Sequence, residues 1–329
     1  MEIIQNLTLA AGGVGGDVFA AKPGQICMAN AQVSYRDAFS QDLTNYASGI
    51  AAGTGLKELR EFLAPTVNVT SRRVEYQEIT TPEAIKKVTI DDAVRAHGGE
   101  FRSLTIDGEV RTVSLKNYGF SMPVEYADLK EDKNLDRESV DILTEFTDTV
   151  ELLWAHRTLS ALAIEQEISL ATTPDIDSVI RQAIIENHAE TGVTANRIFF
   201  GGMAWAKRDQ VYRANMFKNG SAVYAKNEDE LGNELGLEVM AGNPRTISAM
   251  GAMPLVGSNE ILAFFALKNP TRFDATNVKF FAGKGLNGSG TEVYQSTSYQ
   301  GTIKHSTVSR YGLPVVGNGF GVLKFKLVD

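Results

Sequence analysis

The sequence is poor in residues that staple or interrupt a chain, with a single cysteine, Cys27, and nine prolines among 329 residues. A lone thiol forms no internal disulfide and no multi-thiolate metal site, which fits a reducing compartment. Long hydrophobic runs are missing too. The densest, from Ile261 to Leu267, falls far short of the ~20 residues of a membrane helix, so no membrane partner is expected. Glu2 stands where a signal peptide carries basic residues, and Gly12, Gly13, Gly15 and Gly16 dilute the apolar residues around them. An excess of positive charge is also lacking. Thirty-two Lys and Arg face 40 Asp and Glu, a net charge of −8 that repels a phosphate backbone unless cations gather on one face. Against these absences, hydrophobic residues at 43% and charged residues at 22% describe a folded chain long enough for about two domains.

Motifs that carry chemistry are broken or absent. The run Ala11-Gly12-Gly13-Val14-Gly15-Gly16-Asp17 has no strand before it and no Gly-Lys-Ser/Thr after it, so it fails as a phosphate loop. The stretch from Gly283 through Gly290 lacks that spacing as well and reads as a mobile loop. Asp132, Asn134 and Asp136 match the first ligand spacings of a calcium loop, yet Arg137 occupies the glycine position and Leu143 the bidentate-glutamate position. His97, His156, His188 and His305 are scattered without ligand spacing, and Glu228, Asp229, Glu230 and Glu234 read as a solvated acidic face. No catalytic, metal or cofactor residue is assigned, and the chain is expected not to be an enzyme.

The organisation is more informative. Residues 1–56 carry only Glu2, Asp17, Lys22, Arg36, Asp37 and Asp42 as charges, with no sustained helical or strand period. The segment reads either as a disordered tail or as an extended arm that orders against another surface. Residues 71–130 hold nine basic and ten acidic residues in short alternating runs such as Val74-Glu75-Tyr76-Gln77, the pattern of polar strands. Within them Asp107-Gly108 separates Ser103-Leu104-Thr105-Ile106 from Glu109-Val110-Arg111-Thr112-Val113, which predicts a hairpin with a two-residue turn. So few apolar residues cannot give it a private core, and it should lie on another surface, one that a neighbouring subunit could provide.

Asp136 is placed to cap a long helix whose stripe includes Leu143, Phe146, Val150, Leu153 and Trp154 and continues through Ala161, Ile164 and Ile168, with Asp141, Glu145 and Asp148 on another face. Run to Ile168 it would span ~50 Å. A mixed α/β unit follows. Asp177 is the expected cap of a helix closed by Gly192, then come a strand at 197–200, a helix from Met203 to about Asn215, and strands at 237–240 and 260–267. Leu323, Phe325 and Leu327 alternate with Lys324 and Lys326, so the chain ends in a half-buried strand.

This order of parts, together with Tyr118-Gly119-Phe120-Ser121-Met122-Pro123-Val124 leading through Asp136 into the long helix and Asn196-Arg197-Ile198-Phe199-Phe200-Gly201-Gly202-Met203-Ala204-Trp205, resembles the major capsid proteins of tailed bacteriophages, the Hong Kong 97 type. The resemblance covers essentially the whole length. It implies an α+β capsid fold with an N-terminal arm at 1–56, a connection at 57–70, an extended β-hairpin E-loop at 71–122, a P-domain with its spine helix at 123–172, a mixed α/β A-domain at 173–300, and closing strands of the P-domain at 301–329. It further implies self-assembly into pentamers and hexamers of an icosahedral virion shell, built in the host cytoplasm around double-stranded DNA without sequence-specific binding. Separate scaffolding, portal and decoration proteins are the remaining implied partners. Arg72, Arg73, Lys86, Lys87, Asp107 and Gly108 become the candidate contacts between subunits. No motif identifies a Lys–Asn cross-link, and that chemistry is not carried over. The rival readings are an encapsulin-like bacterial shell and, from a different class, an α/β enzyme built on residues 177–267.

Overall fold

A computed structural model describes residues 38–51, 55–79, 109–125, 128, 134–173, 175–219, 226–242, 256–297 and 303–328. In chain order the elements are β1 (Ala38–Phe39), α1 (Gln41–Ala51), α2 (Gly55–Leu63), β2 (Thr66–Val69), β3 (Arg73–Glu78), β4 (Glu109–Ser114), β5 (Lys116–Glu125), α3 (Leu135–Leu162), β6 (Ile164–Ser169), α4 (Ile176–Thr191), β7 (Arg197–Phe200), α5 (Gly202–Asn219), α6 (Glu228–Leu235), β8 (Glu238–Ala241), β9 (Glu260–Phe264), β10 (Val278–Gly283), β11 (Thr291–Thr297), β12 (Ile303–Val316) and β13 (Leu323–Val328).

Two sheets and one ribbon organise these strands. In the first sheet the long β12 is central: β5 pairs antiparallel along one edge from Ile303 to Gly312, while β11 and then β10 occupy the other. β10 is flanked in parallel by β2, and β11 by the short β1. The second sheet runs β6-β13-β9-β7-β8. β13 lies parallel to β6 and antiparallel to β9, so the last strand closes this second sheet and not the first. The ribbon pairs β3 with β4, from Arg73 opposite Ser114 to Glu78 opposite Glu109. The expected strand at Val74–Gln77 is thus present. Its partner is Glu109–Ser114, whereas the hairpin turn at Asp107-Gly108 and its first arm, Ser103 to Ile106, lie outside the described residues.

The spine helix α3 has 28 residues, which at 1.5 Å per residue is about 42 Å. It ends six residues before the Ile168 expected from the apolar stripe. Ala163 is extended (φ −76°, ψ 137°), and the amide of Ile164 donates to the carbonyl of Val322 at 3.0 Å. The segment Ile164–Ser169 therefore leaves the helix for a ladder with β13, as its β-branched, alternating sequence allows. At the other end Asp136 is not the cap. The helix starts at Leu135 after Asn134, and Asp136 sits in the first turn, where its Oδ2 accepts from Lys304 Nζ at 2.6 Å. The buried face is also rotated from the expected stripe: Leu143, Leu152, Ala155 and Leu159 are in the core, joined by Asp148 and Glu151, while Phe146, Leu153 and Trp154 are half-buried. Phe146 and Trp154 instead pack against rings of β5, Phe120 at 5.8 Å and Tyr118 at 5.2 Å between centroids.

Residues 41–51 and 55–63 correct the reading of 1–56 as a segment without helical period. Leu43, Tyr46 and Ala47 recur at three and four residues, enough for α1 to lay one face on α3, Val293 and Val308. Tyr46 OH donates to Asp141 Oδ2 at 3.0 Å, and the amide of Val293 donates to Thr44 Oγ1 at 3.0 Å. α2 carries Leu56, Leu59, Phe62 and Leu63 into a core shared with Leu152 and Leu159 of α3, Phe199 and Phe264 of the second sheet and Phe280 of the first. Burying each such side chain contributes about 1.5–3 kcal/mol. The two sheets are therefore fastened together by an N-terminal helix and the spine. A second core, around Ile176, Ile180, Ile198, Phe200, Ile261 and Phe325, belongs to the second sheet with α4 and α5.

Within that unit Gly192 closes α4 in the left-handed region at φ 74°, as expected. The N-cap is Asp175, whose Oδ1 accepts from the amide of Ser178 at 3.1 Å. Asp177, the expected cap, turns inward.

Candidate functional site

Buried charge is the first place to look for chemistry, because a desolvated ionisable group is costly unless it is paired. The largest cluster joins four elements. Arg310 on β12 donates through Nε to Thr291 Oγ1 at 2.8 Å and through Nη1 to Glu151 Oε1 at 2.9 Å and to Asp148 Oδ1. Glu151 also accepts from Tyr118 OH at 2.7 Å and lies 3.2 Å from Arg60 Nε of α2. Arg60 in turn donates to Thr66 Oγ1 at 2.8 Å and stacks 4.8 Å above the Phe280 ring. Burial alone would lower the Arg310 pKa, but the carboxylates of Glu151 and Asp148 hold it above its ordinary value. For Tyr118 burial and the Glu151 charge act together and raise it. Two cations and two anions thus cancel, locking α2, α3, β5 and β12.

A second pair fixes the other unit. Arg208, fully buried, meets Asp177 through Nε–Oδ1 and Nη2–Oδ2 contacts of 2.7 Å each, and its guanidinium lies 4.8 Å from the Trp205 ring. Lys279 is likewise fully buried, donating to the carbonyl of Asp274 at 2.7 Å and pairing with its carboxylate at 3.0 Å. Desolvation lowers the Lys279 pKa despite that partner. Glu260 links the end of α3 to β13: His156 Nε2 lies 3.6 Å from its Oε2 and Lys324 Nζ 2.9 Å from its Oε1. The His156 contact, opposed by burial and reinforced by Lys324, pulls its pKa down to about 2. Each of these groups is occupied by a structural partner; His156 Nε2 also lies 3.4 Å from Ser160 Oγ, one turn further along α3.

The candidate chemistry of the sequence resolves in the same direction. His156 faces Glu260, His188 Nδ1 lies 2.9 Å from Thr194 Oγ1, and His305 sits in β12 opposite Pro123; His97 lies outside the described residues. Among the described residues no three His, Cys, Asp or Glu side chains come together to hold a metal. The glycine-rich stretch at 283–290 is organised around one carboxylate: Glu292 accepts from the amides of Leu286 at 3.1 Å and Asn287 at 2.5 Å, and Gly288 takes φ 82°. The loop is tied through these two amides to the start of β11. The acidic cluster forms α6, where Asn227 and Glu230 exchange backbone contacts at 2.8 and 3.1 Å in a capping box, and all four acids face solvent.

What remains is surface. Strand β4 is exposed at every residue but Val113, with Val110 at 66%. Among the described residues β5 pairs only with β12, leaving a ten-residue edge open. Such an edge is a template for pairing with another chain. Gly119 is required there, because a Cβ would come within 1.9 Å of the Val308 carbonyl oxygen. Of the expected contact residues, Arg72 and Arg73 stand exposed at the base of the ribbon; Lys86, Lys87, Asp107 and Gly108 lie outside the described residues. The buried tetrad of Arg60, Asp148, Glu151 and Arg310 was not anticipated. Its sequence signal is the pair Asp148 and Glu151, charged residues within the helical segment that carries the apolar stripe.

No protein-family model matches the sequence, and no curated protein matches it. Solved structures do. A phage-related protein from Bordetella bronchiseptica superposes with a TM-score of 0.62 at 13% identity, over 88% of this chain and 97% of that one. A structure from Microbacterium phage Oxtober96 gives 0.50 at 11% identity, over 99% and 98%. The capsid structure of cyanophage P-SCSP1u covers 98% of both chains at 8% identity and a TM-score of 0.47. The chain has the mixed α+β fold that the resemblance implied, shared over nearly its full length with the Bordetella protein.

Proposed function

We propose that this chain is the major capsid subunit of a tailed double-stranded DNA phage, a structural protein that closes an icosahedral shell of pentamers and hexamers and has no catalytic residue. The observation that carries the reading is the fold shared with a phage-related protein over 88% of this chain and 97% of that one. The solvent-exposed β4 and the open edge of β5 agree with it, since strands of this kind gain by pairing or packing on a neighbour. In this reading β3 and β4 are the base of the E-loop spanning 71–122, α3 is the spine of the P-domain, and β7, β8 and β9 of the second sheet belong to the A-domain. The segment 1–56, with few charges, is in this reading the N-terminal arm that contacts adjacent subunits. Folding and assembly are then coupled, because each contact stabilises only the associated state.

A net charge of −8 suits a container that confines DNA mechanically and binds it weakly. The site of action is the virion, assembled in the host cytoplasm with separate scaffolding, portal and decoration proteins. Electron microscopy of the purified chain, alone and with its scaffold, is expected to show shells or capsomers. A monomer under every assembly condition refutes the proposal. The contents of particles made in cells separate the viral reading, which requires DNA, from the encapsulin reading, which requires a cargo protein.

A further inference from the structure

The base of the β3–β4 ribbon gathers cations from three parts of the chain. The amide of Leu115 donates to the carbonyl of Arg72 at 2.8 Å, Arg73 pairs across the ribbon with Ser114, and Lys116 pairs with Gly312 of β12. Gly283, the residue before Lys284, pairs with Tyr311, and a Cβ on it would touch Leu115 at 2.5 Å. The Arg72 guanidinium lies 4.5 Å from the Tyr311 ring and donates to its hydroxyl at 3.2 Å. Arg72, Arg73, Lys116 and Lys284 are all exposed. No acid occurs at 70–73, 114–117, 283–284 or 309–312, although the exposed Glu75 follows two residues beyond Arg73 on the same face of β3.

On a chain of net charge −8 this is an island of positive charge, and like-charged copies need such an island to approach one another. An exposed acidic surface lies on α6, with Glu228, Asp229, Glu230 and Glu234, beside β8 at the edge of the other sheet; within the chain Lys226 pairs with Glu234, and Glu228 accepts from the amide of Ala241 at 3.2 Å. At eight residues, or about 12 Å, α6 is comparable in size to the base of a two-stranded ribbon. We propose that the basic base of the ribbon, Arg72, Arg73, Lys116 and Lys284, docks on the acidic face of α6 of a second copy. The two faces differ and lie on different sheets, so the contact is head-to-tail, the kind that closes rings of subunits. A small island suits a short acidic helix better than a nucleic acid, whose phosphates are tracked by extended rows of cations.

The inference rests on the assembly reading above, and the experiment separates them. Assembly of the full chain is followed by light scattering and sedimentation across a salt series, beside an Arg72→Glu/Lys116→Glu variant. A milder Arg72→Gln/Lys116→Gln variant and the melting curve of the dissociated subunit guard against misfolding. Wild type is expected to assemble more slowly as salt rises. The reversal should slow assembly at least tenfold with melting unchanged, and adding Asp229→Lys/Glu234→Lys should restore most of the rate. Failure of wild type to assemble under any condition refutes the assembly reading itself. Normal assembly of the reversal, with or without loss of packaged DNA, overturns the docking contact alone, as does a slowed reversal that the α6 changes do not rescue.

Discussion

Replacing Arg310 with Met is the most direct test of the buried tetrad. Arg310 is 8% exposed, and its carboxylate partners Asp148 and Glu151 are 2% and 5% exposed. In the native cluster two cations, Arg60 and Arg310, offset two anions. Met fills much of the arginine stem's volume but removes the cation that Asp148 and Glu151 share, while Arg60 still reaches Glu151 at 3.2 Å. Removing one partner of a buried pair costs about 3–5 kcal/mol, mostly the penalty of the stranded charge. Urea unfolding of the dissociated subunit should therefore lose ~3–5 kcal/mol. Because the penalty is one of charge, the double variant Arg310→Met/Asp148→Leu, which restores one cation to one anion, should recover more than half of the loss. A loss below about 1 kcal/mol, the range of exposed ion pairs, would show that water reaches the cluster. A double variant no better than the single would show that the cost was packing and not charge.

Two further outcomes are expected. Glu260, held down to about 2 against an ordinary 4.5, stabilises the fold at neutral pH, and that stability is retained above 4.5 and lost as pH falls toward 2. The difference corresponds to roughly 3 kcal/mol, trimmed to about 2 because the side chain is one-fifth exposed; acid titration of wild type against Glu260→Gln should show this component in the first and not in the second. Leu152→Ala, at a fully buried site on the face of α3 that packs on α2, should cost about 2–5 kcal/mol, and Trp154→Ala, half-buried against Tyr118, measurably less; thermal melts in the reverse order would mean that the helix is rotated from the face described.

Much of the layout was legible in the sequence, because it was written in local patterns. Alternation placed β3 and β13, a short apolar run placed β7, Gly192 placed the end of α4, and the helical recurrence from Leu143 onward announced the spine. The same local signals failed wherever a distant strand or charge competed. Ile164 and Ile168 suit the spine's stripe as well as a strand, and β13, more than 150 residues away in sequence, decides for the strand by offering a ladder. Asp136 and Asp177 are both well placed to cap helices, yet Lys304 and Arg208 draw them elsewhere, since an ion pair or a buried bidentate contact outweighs a cap worth about 1 kcal/mol. α1 was missed because its apolar face is only Leu43, Tyr46 and Ala47, too short to register until α3 supplies the opposite wall.

The amino-acid sequence by itself determined that this is an acidic, folded chain with one thiol, a polar β excursion, a long helix and no recognisable catalytic motif, because composition and short-range period are properties of neighbouring residues. Only the tertiary structure decided that the N-terminal helices belong to the core, that Arg60, Asp148, Glu151 and Arg310 neutralise one another, and that four cations from three stretches meet at the base of the ribbon. Those facts depend on contacts across as many as 250 residues, and the energy of a charge is set by what the fold brings within about 4 Å of it, not by its neighbours along the chain.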